Sequence, residues 1–130
     1  MSGETNLDVL LKSMSAELVE GVFVFVTVPT GAVPDGLNIR MMFQEAEGTT
    51  LILLKNDAEV AGLEYEFPSR MITLNIHSSL EAVGFMARIA TALAAEGMGV
   101  NPVAGFYHDH LFVPVGREQD ALQVLAAFAE

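Results

Sequence analysis

His108, Asp109 and His110 follow one another in the stretch FYHDHLFVPV. The third histidine of the chain, His77, stands directly before Ser78, Ser79, Leu80 and Glu81. Histidine and aspartate are metal ligands, and histidine moves protons near neutral pH. Alternate positions of an extended strand project to one side, so His108 and His110 share a side and Asp109 takes the other. Three converging ligands make a zinc site. Fewer make a polar hairpin tip whose histidines hydrogen-bond across a sheet, or the lining of a small-molecule pocket. All three readings stay open in the sequence, including a metal-binding protein through His77, His108 and His110. The residue types alone require no metal and no cofactor.

Catalytic constellations are weaker. His77 and Ser78 are neighbours, and neighbours on a strand face opposite ways, so the imidazole is badly placed to serve the hydroxyl. No G-x-S-x-G elbow occurs. GAVPDG lacks the lysine and the following helix of a phosphate loop. GLEYEF and EAEG carry carboxylates two apart, with nothing to mark either as desolvated. The chain has no cysteine, which removes disulfides, thiolate zinc sites and cysteine nucleophiles. A non-catalytic protein is expected.

These residues need a scaffold, and 130 residues with 52% hydrophobic content are enough to bury one. Six basic residues face seventeen acidic ones, a net charge of −11, and the basic residues are scattered. Nucleic acid and anionic membranes, which both need a basic stripe, are not expected as partners by that count. The run GVFVFVTVP falls well short of the ~18 apolar residues that cross a bilayer. MSGETNLDVLLK has no basic segment followed by an apolar core. The expectation is a soluble cytoplasmic protein.

The order of elements places the histidines. TNLDVLLKSM predicts a short helix capped by Thr5 or Asn6, with Leu7, Leu10, Leu11 and Met14 as its apolar stripe. VFVFVTV is a buried strand. IRMMFQ and TTLILL form a hairpin through EAEG. KNDAEVAGL is a brief helix with Asn56 and Glu59 as a capping box, and YEF with Pro68 leads out of it. MITLNIH alternates, with Ile72, Leu74 and Ile76 on one face and Met71, Thr73, Asn75 and His77 on the other. SSLEAVGFMARIATALAAEG predicts a helix from Ser78 to Gly97 with a stripe of Leu80, Val83, Met86, Ala90 and Leu93. MGVNPVAGF and HLFVPV are strands around YHDH. REQDALQVLAAFAE closes as an amphipathic helix through Ala121, Leu122, Leu125 and Phe128.

Strand, helix, strand, strand, helix from Met71 onward predicts a ferredoxin-like α+β sandwich, with the third strand between the first and second. His77 and His110 then share the helix-free face. Phe112 and Val103 are expected as exposed sheet positions and hence as an interface between units or in a dimer. Ser78 and Glu81 fit an S-x-x-E capping box, which explains both without a ligand. A helix start there equally offers free N–H groups to a carboxylate, and Gly84 leaves room for a ligand or strand to approach.

The stretch MITLNIHSSLEAVGFMARIATALAAEGMGVNPVAGFYHDHLFVPV resembles an ACT domain, the small amino-acid-sensing module of metabolic regulation. With FQEAEGTTLIL, the whole chain is similar to small bacterial proteins built of two ACT-like units. The resemblance implies two tandem ferredoxin-like (βαββαβ-type) units, a divergent one over residues 1–68 and an ACT domain over residues 69–130. It implies a regulatory protein that binds an amino acid or related metabolite and couples this to self-association as a homo-oligomer, or to a partner enzyme of amino-acid metabolism. The implied ligand contacts are Ser78, Ser79, Leu80, Glu81, Val83, Gly84 and Asn101. Further contributors are His77, His110, Glu45 and Glu47. A structural or interaction module without a ligand, or a small enzyme with a deep pocket, are the other readings.

Overall fold

The computed structural model describes residues 3–130. They form two compact units: residues 21–69, and residues 3–20 together with 70–130. Among the described residues no helix is long and apolar enough to cross a membrane.

The unit of residues 21–69 contains β2 (Phe23–Val28), β3 (Ile39–Gln44), β4 (Thr49–Leu54), α2 (Lys55–Val60) and the start of β5 (Glu66–Asn75). β2 is built of β-branched and aromatic residues, which suit a pleated buried surface. It pairs antiparallel with β4 from Phe23↔Leu54 to Val28↔Thr49. The EAEG turn joins β4 to β3, and the strand order is β3-β4-β2-β5. Val24, Val26 and Val28 fall on one face by period-two alternation, where they pack with Leu51, Leu53 and Ala58 of α2. Residues 29–38 form no helix, and Val33 and Leu37 from this loop pack against the cluster instead.

The other unit contains α1 (Leu7–Ser13), β1 (Ser15–Leu18), the rest of β5, α3 (Phe85–Ala94), β6 (Asn101–Ala104), β7 (Asp109–Pro114) and α4 (Glu118–Ala127). Here β7 lies between β5 and β6, the arrangement expected from the order of elements. Ile72 and Leu74 of β5 and Leu111 and Val113 of β7 face inward. They meet Phe85, Ile89 and Leu93 of α3, Ala121 and Leu125 of α4, and Leu10 and Leu11 of α1. Each buried Leu, Ile, Val or Phe side chain among them contributes ~1.5–3 kcal/mol. The fourth strand of this α+β ferredoxin-like sheet comes from the N-terminal segment. β1 pairs antiparallel with β5 from Ser15↔Asn75 to Leu18↔Ile72.

The structure corrects several local expectations. β1 was not anticipated: four residues of half-exposed alternation carry little periodic signal. α3 begins at Phe85, seven residues after Ser78. Gly84 adopts the left-handed conformation (φ 89°) in the cap position and ends the loop that precedes the helix. Leu80 and Val83 therefore lie outside the helix and are exposed, and the buried stripe is Phe85, Ile89 and Leu93. Neither predicted capping box forms. Ser78 donates its hydroxyl to Asp109, and Ser79, not Ser78, accepts the Glu81 amide. α2 starts directly after β4, so Leu54 occupies its cap position and Asn56 lies inside the helix. Glu59 accepts the Tyr65 hydroxyl instead. β5 already begins at Glu66 and runs through Pro68. Phe112 is 1% exposed, which removes it as an exposed interface residue, and Val103 is half-buried. As predicted, Asn6 caps α1 by accepting the Val9 amide at 3.1 Å.

Arg70 of β5 pairs with Glu118 at the start of α4, Nη1 to Oε2 at 3.0 Å. The Glu118 carboxyl is held below its ordinary value by its own backbone N–H, then by the Gly116 N–H and the Arg70 guanidinium. Burial acts in the opposite direction. A folded pKa below the unfolded one stabilises the protein above the unfolded value, and that stabilisation disappears as pH falls through the folded value. The melting midpoint of the wild type should therefore drop more between about pH 5 and pH 3 than that of Glu118→Gln, measured by scanning calorimetry. A Cβ on Gly84 would meet only Leu7 Cδ2 at 3.6 Å, an ordinary contact. Gly84→Ala should then cost only the left-handed backbone term, ~1–2 kcal/mol in urea unfolding, with no added steric penalty.

Candidate functional site

After Asn75 the chain leaves the sheet in two tight steps: Ile76 N–H donates to Leu74 O at 2.9 Å and Ser78 N–H to Ile76 O at 3.0 Å. The next step is tied to the N-terminal segment. Glu4 N–H donates to His77 O and Ser79 N–H to Glu4 O, both at 2.8 Å, as an isolated parallel bridge. The approach is so close that a Cβ on Gly3 would lie 2.7 Å from Ser79 N, so glycine is required there. Ser79 then organises the loop, with its Oγ accepting Glu81 N–H at 3.1 Å and its carbonyl accepting Ala82 N–H at 3.0 Å.

This loop, the first turn of α3 and the β6–β7 hairpin enclose a cavity of about 180 Å³. Its polar wall is Ser78, Ser79 and Asp109. Its apolar wall is Leu80, Ala82, Phe85, Met86 and Ala104, and Gly105 closes it. Ser78 Oγ donates to Asp109 Oδ2 at 3.0 Å. The second carboxylate oxygen of Asp109 brings further acceptor capacity to the cavity. The amides of Phe85, Met86 and Ala87 open α3, where a helix has no internal acceptor for them.

The residues singled out from the sequence divide accordingly. Ser78, Ser79 and Leu80 line the cavity. Glu81 and Val83 are exposed beside it, and Gly84 sits against Leu7. Asn101 is exposed on β6 opposite Phe112, away from the cavity. Glu45 accepts the Thr50 hydroxyl within its own hairpin, and Glu47 is exposed in the turn. The histidines have these neighbours. His110 Nδ1 lies 3.0 Å from Thr73 Oγ1, while the ring of His77 lies 5.2 Å from that of Tyr107 and 6.3 Å from that of Phe106. The His108 and His110 rings are 6.4 Å apart. Among the described residues, no three histidine, aspartate or glutamate side chains gather as a metal-holding group.

Asp109 is the cavity residue that sequence reasoning did not include in the site. It points away from the two histidines as expected, and that direction is into the cavity. The signal was present in the alternation, since a residue opposite His110 in facing must look toward the helices. Ala104 and Gly105 carried no such signal. Asp109→Ala should leave the Ser78 hydroxyl, in a residue 8% exposed, without its acceptor. The expected cost in urea unfolding is ~1–3 kcal/mol, and Asp109→Asn, which keeps an acceptor oxygen, should lose clearly less.

Residues 2–70 match one family model of the ACT domain, and residues 66–127 match a second. No curated protein sequence matches the chain. Among solved structures, the chain is similar to VC0802 from Vibrio cholerae, a protein of unknown function and possible transport protein. The identity is 48% and the TM-score 0.86, over 95% of this chain and 96% of that one. It is similar to the regulatory subunit of aspartate kinase from Thermus flavus, with 12% identity and a TM-score of 0.68, over 89% of this chain and 97% of that one. It is also similar to aspartate kinase from Clostridium acetobutylicum, with 10% identity and a TM-score of 0.68, over 90% of this chain and 34% of that one. At such identities the last two likenesses show the fold alone.

Proposed function

The chain belongs to the ACT domain family, and on that premise we propose that it is a non-catalytic regulatory protein that binds a small amino acid or a closely related metabolite. The observation that carries the reading is the 180 Å³ cavity with one carboxylate, two serine hydroxyls and a helix start on its walls. An α-ammonium group is a donor with three N–H bonds, and Asp109 is the acceptor that suits it. The α-carboxylate is received by the first-turn amides of α3, whose dipole favours negative charge. Phe85, Met86 and Leu80 cover a short apolar side chain, and the size of the cavity favours small ligands. On this reading Ser78, Ser79 and Leu80 contact the ligand from the cavity wall, and Asp109 joins them.

On this reading, residues 1–68 and 69–130 are the two repeats of the sequence, while the cavity belongs to the folded unit of residues 3–20 and 70–130. Ligand binding is coupled to association with another copy or with an enzyme of amino-acid metabolism. Leu80, Val83, Phe106 and Tyr107 support such an association face, since all four are large, apolar and exposed.

One observation favours a second reading, an interaction module without a ligand. The amides of Ser78, Ser79, Glu81 and Ala82 already have acceptors inside the chain. A thermal-shift panel of the twenty amino acids separates the two. A ligand at a hundred times its dissociation constant should add ~2.7 kcal/mol of stability. At least one small amino acid should raise the midpoint of the wild type, and Asp109→Asn should abolish the shift. Silence across the panel at millimolar concentration, or a response undiminished in Asp109→Asn, would defeat the amino-acid reading.

A further inference from the structure

The unit of residues 21–69 carries a second concave surface, a groove of about 560 Å³ lined by Phe25, Thr27, Leu63, Glu64, Tyr65 and Glu66. It exists because β2 and β5 part company. β5 registers with β2 only at Phe23↔Ser69 and Phe25↔Glu66, with a bulge between the two pairs. Phe67 lies in that bulge with a left-handed backbone (φ 53°), unusual for a bulky residue, and its ring packs edge-on to Phe25 at 5.8 Å. Before Glu66 the chain diverges, so among the described residues β2 continues past Phe25 with no strand beside it on that edge.

The next position on that edge is Thr27, an exposed residue. Along a strand, successive residues direct their N–H and C=O groups to opposite edges. Val22 O accepts from Lys55 N–H on the β4 side, and Phe23 O accepts from the Ser69 hydroxyl on the β5 side. Alternation puts Thr27 on the β5 side with Phe23 and Phe25. Its donor and acceptor are directed to the groove, beyond the last residue at which β5 pairs. An open strand edge is a template for an added strand.

We propose that this groove docks an extended, lysine- or arginine-bearing segment of a partner protein, which pairs with β2 at Thr27. Charge selects this occupant. Glu64 and Glu66 are exposed on the rim, two residues apart, the interval at which a strand repeats its side chains on one face. A second copy of this chain, at net charge −11, would bring like charge to an acidic rim. Phe25, Leu63 and Tyr65 supply apolar contact for the residues between the basic ones.

The test uses the full chain and a fluorescein-labelled peptide, Thr-Lys-Val-Lys-Val-Lys-Thr, read by fluorescence anisotropy. Two control peptides carry Glu for Lys, or N-methyl groups on alternate backbone nitrogens. The lysine peptide should bind, and both controls should bind about tenfold more weakly or worse, ~1.4 kcal/mol. The doubly substituted Glu64→Gln, Glu66→Gln chain should lose about tenfold for the lysine peptide, and the loss should shrink with added salt. Hydrogen exchange at the Thr27 amide should slow in the complex. Thr27→Pro, tolerable on an open edge, should abolish binding; if it unfolds the chain, the glutamine variant and the exchange measurement decide. Equal binding of the N-methylated or glutamate peptide, or no binding of the lysine peptide, overturns the proposal. A concentration-dependent dimer that slows exchange at Thr27 overturns it in favour of a second copy.

Discussion

The Ser79 amide donates to the Glu4 carbonyl at 2.8 Å, and the Glu4 amide donates to His77. This short parallel bridge anchors the loop that follows β5, and the rest of the cavity depends on it. The same N-terminal segment supplies β1, which completes the sheet along β5, and α1, whose Leu10 and Leu11 enter the core under α3. Without residues 3–20, β5 would lose its neighbour at Ile72–Asn75 and expose strand backbone with a buried apolar face beside it. A chain cut at residue 69 would therefore lack part of the sheet, the core and the tether of the cavity loop.

That loop also shows how a helix start can be delayed. Ser78 to Glu81 fits a capping box, and a capping bond is worth ~1 kcal/mol. In the fold, Ser78 has a stronger claim on it, a charged acceptor in Asp109, and hydrogen bonds to charged groups are worth ~1.5–3 kcal/mol. Ser79 closes a compact turn with Glu81 and Ala82 instead, and Gly84 supplies the one left-handed residue from which α3 can start. The result is seven residues of irregular backbone held by internal bonds, with the free amides of the helix moved to Phe85 and beyond.

The two units reach similar sheets by different means. The unit of residues 3–20 and 70–130 covers its sheet with α1, α3 and α4. The unit of residues 21–69 has only α2, six residues long, and fills the remaining space with loop side chains such as Val33 and Leu37. Its sheet is correspondingly less covered at the edges: β3 exposes Met42 and Phe43, and β2 outruns β5. The left-handed Phe67 marks where β5 changes course.

Local periodicity determined most elements. The alternation of Ile72 and Leu74, the β-branched run of β2, the TTLILL hairpin strand and the Asn6 cap each rest on contacts within a few residues, so they were legible. So was the order β5-β7-β6, which follows from strand–helix–strand handedness. Tertiary structure alone decided the rest, because the competing bonds come from far along the chain. Asp109 takes the Ser78 hydroxyl from 31 residues away. Glu4 takes the Ser79 amide, Thr73 meets His110, and β1 pairs with a strand more than fifty residues later. A pattern such as S-x-x-E states only which bonds a segment is able to make; which of them form depends on the partners that folding brings beside it.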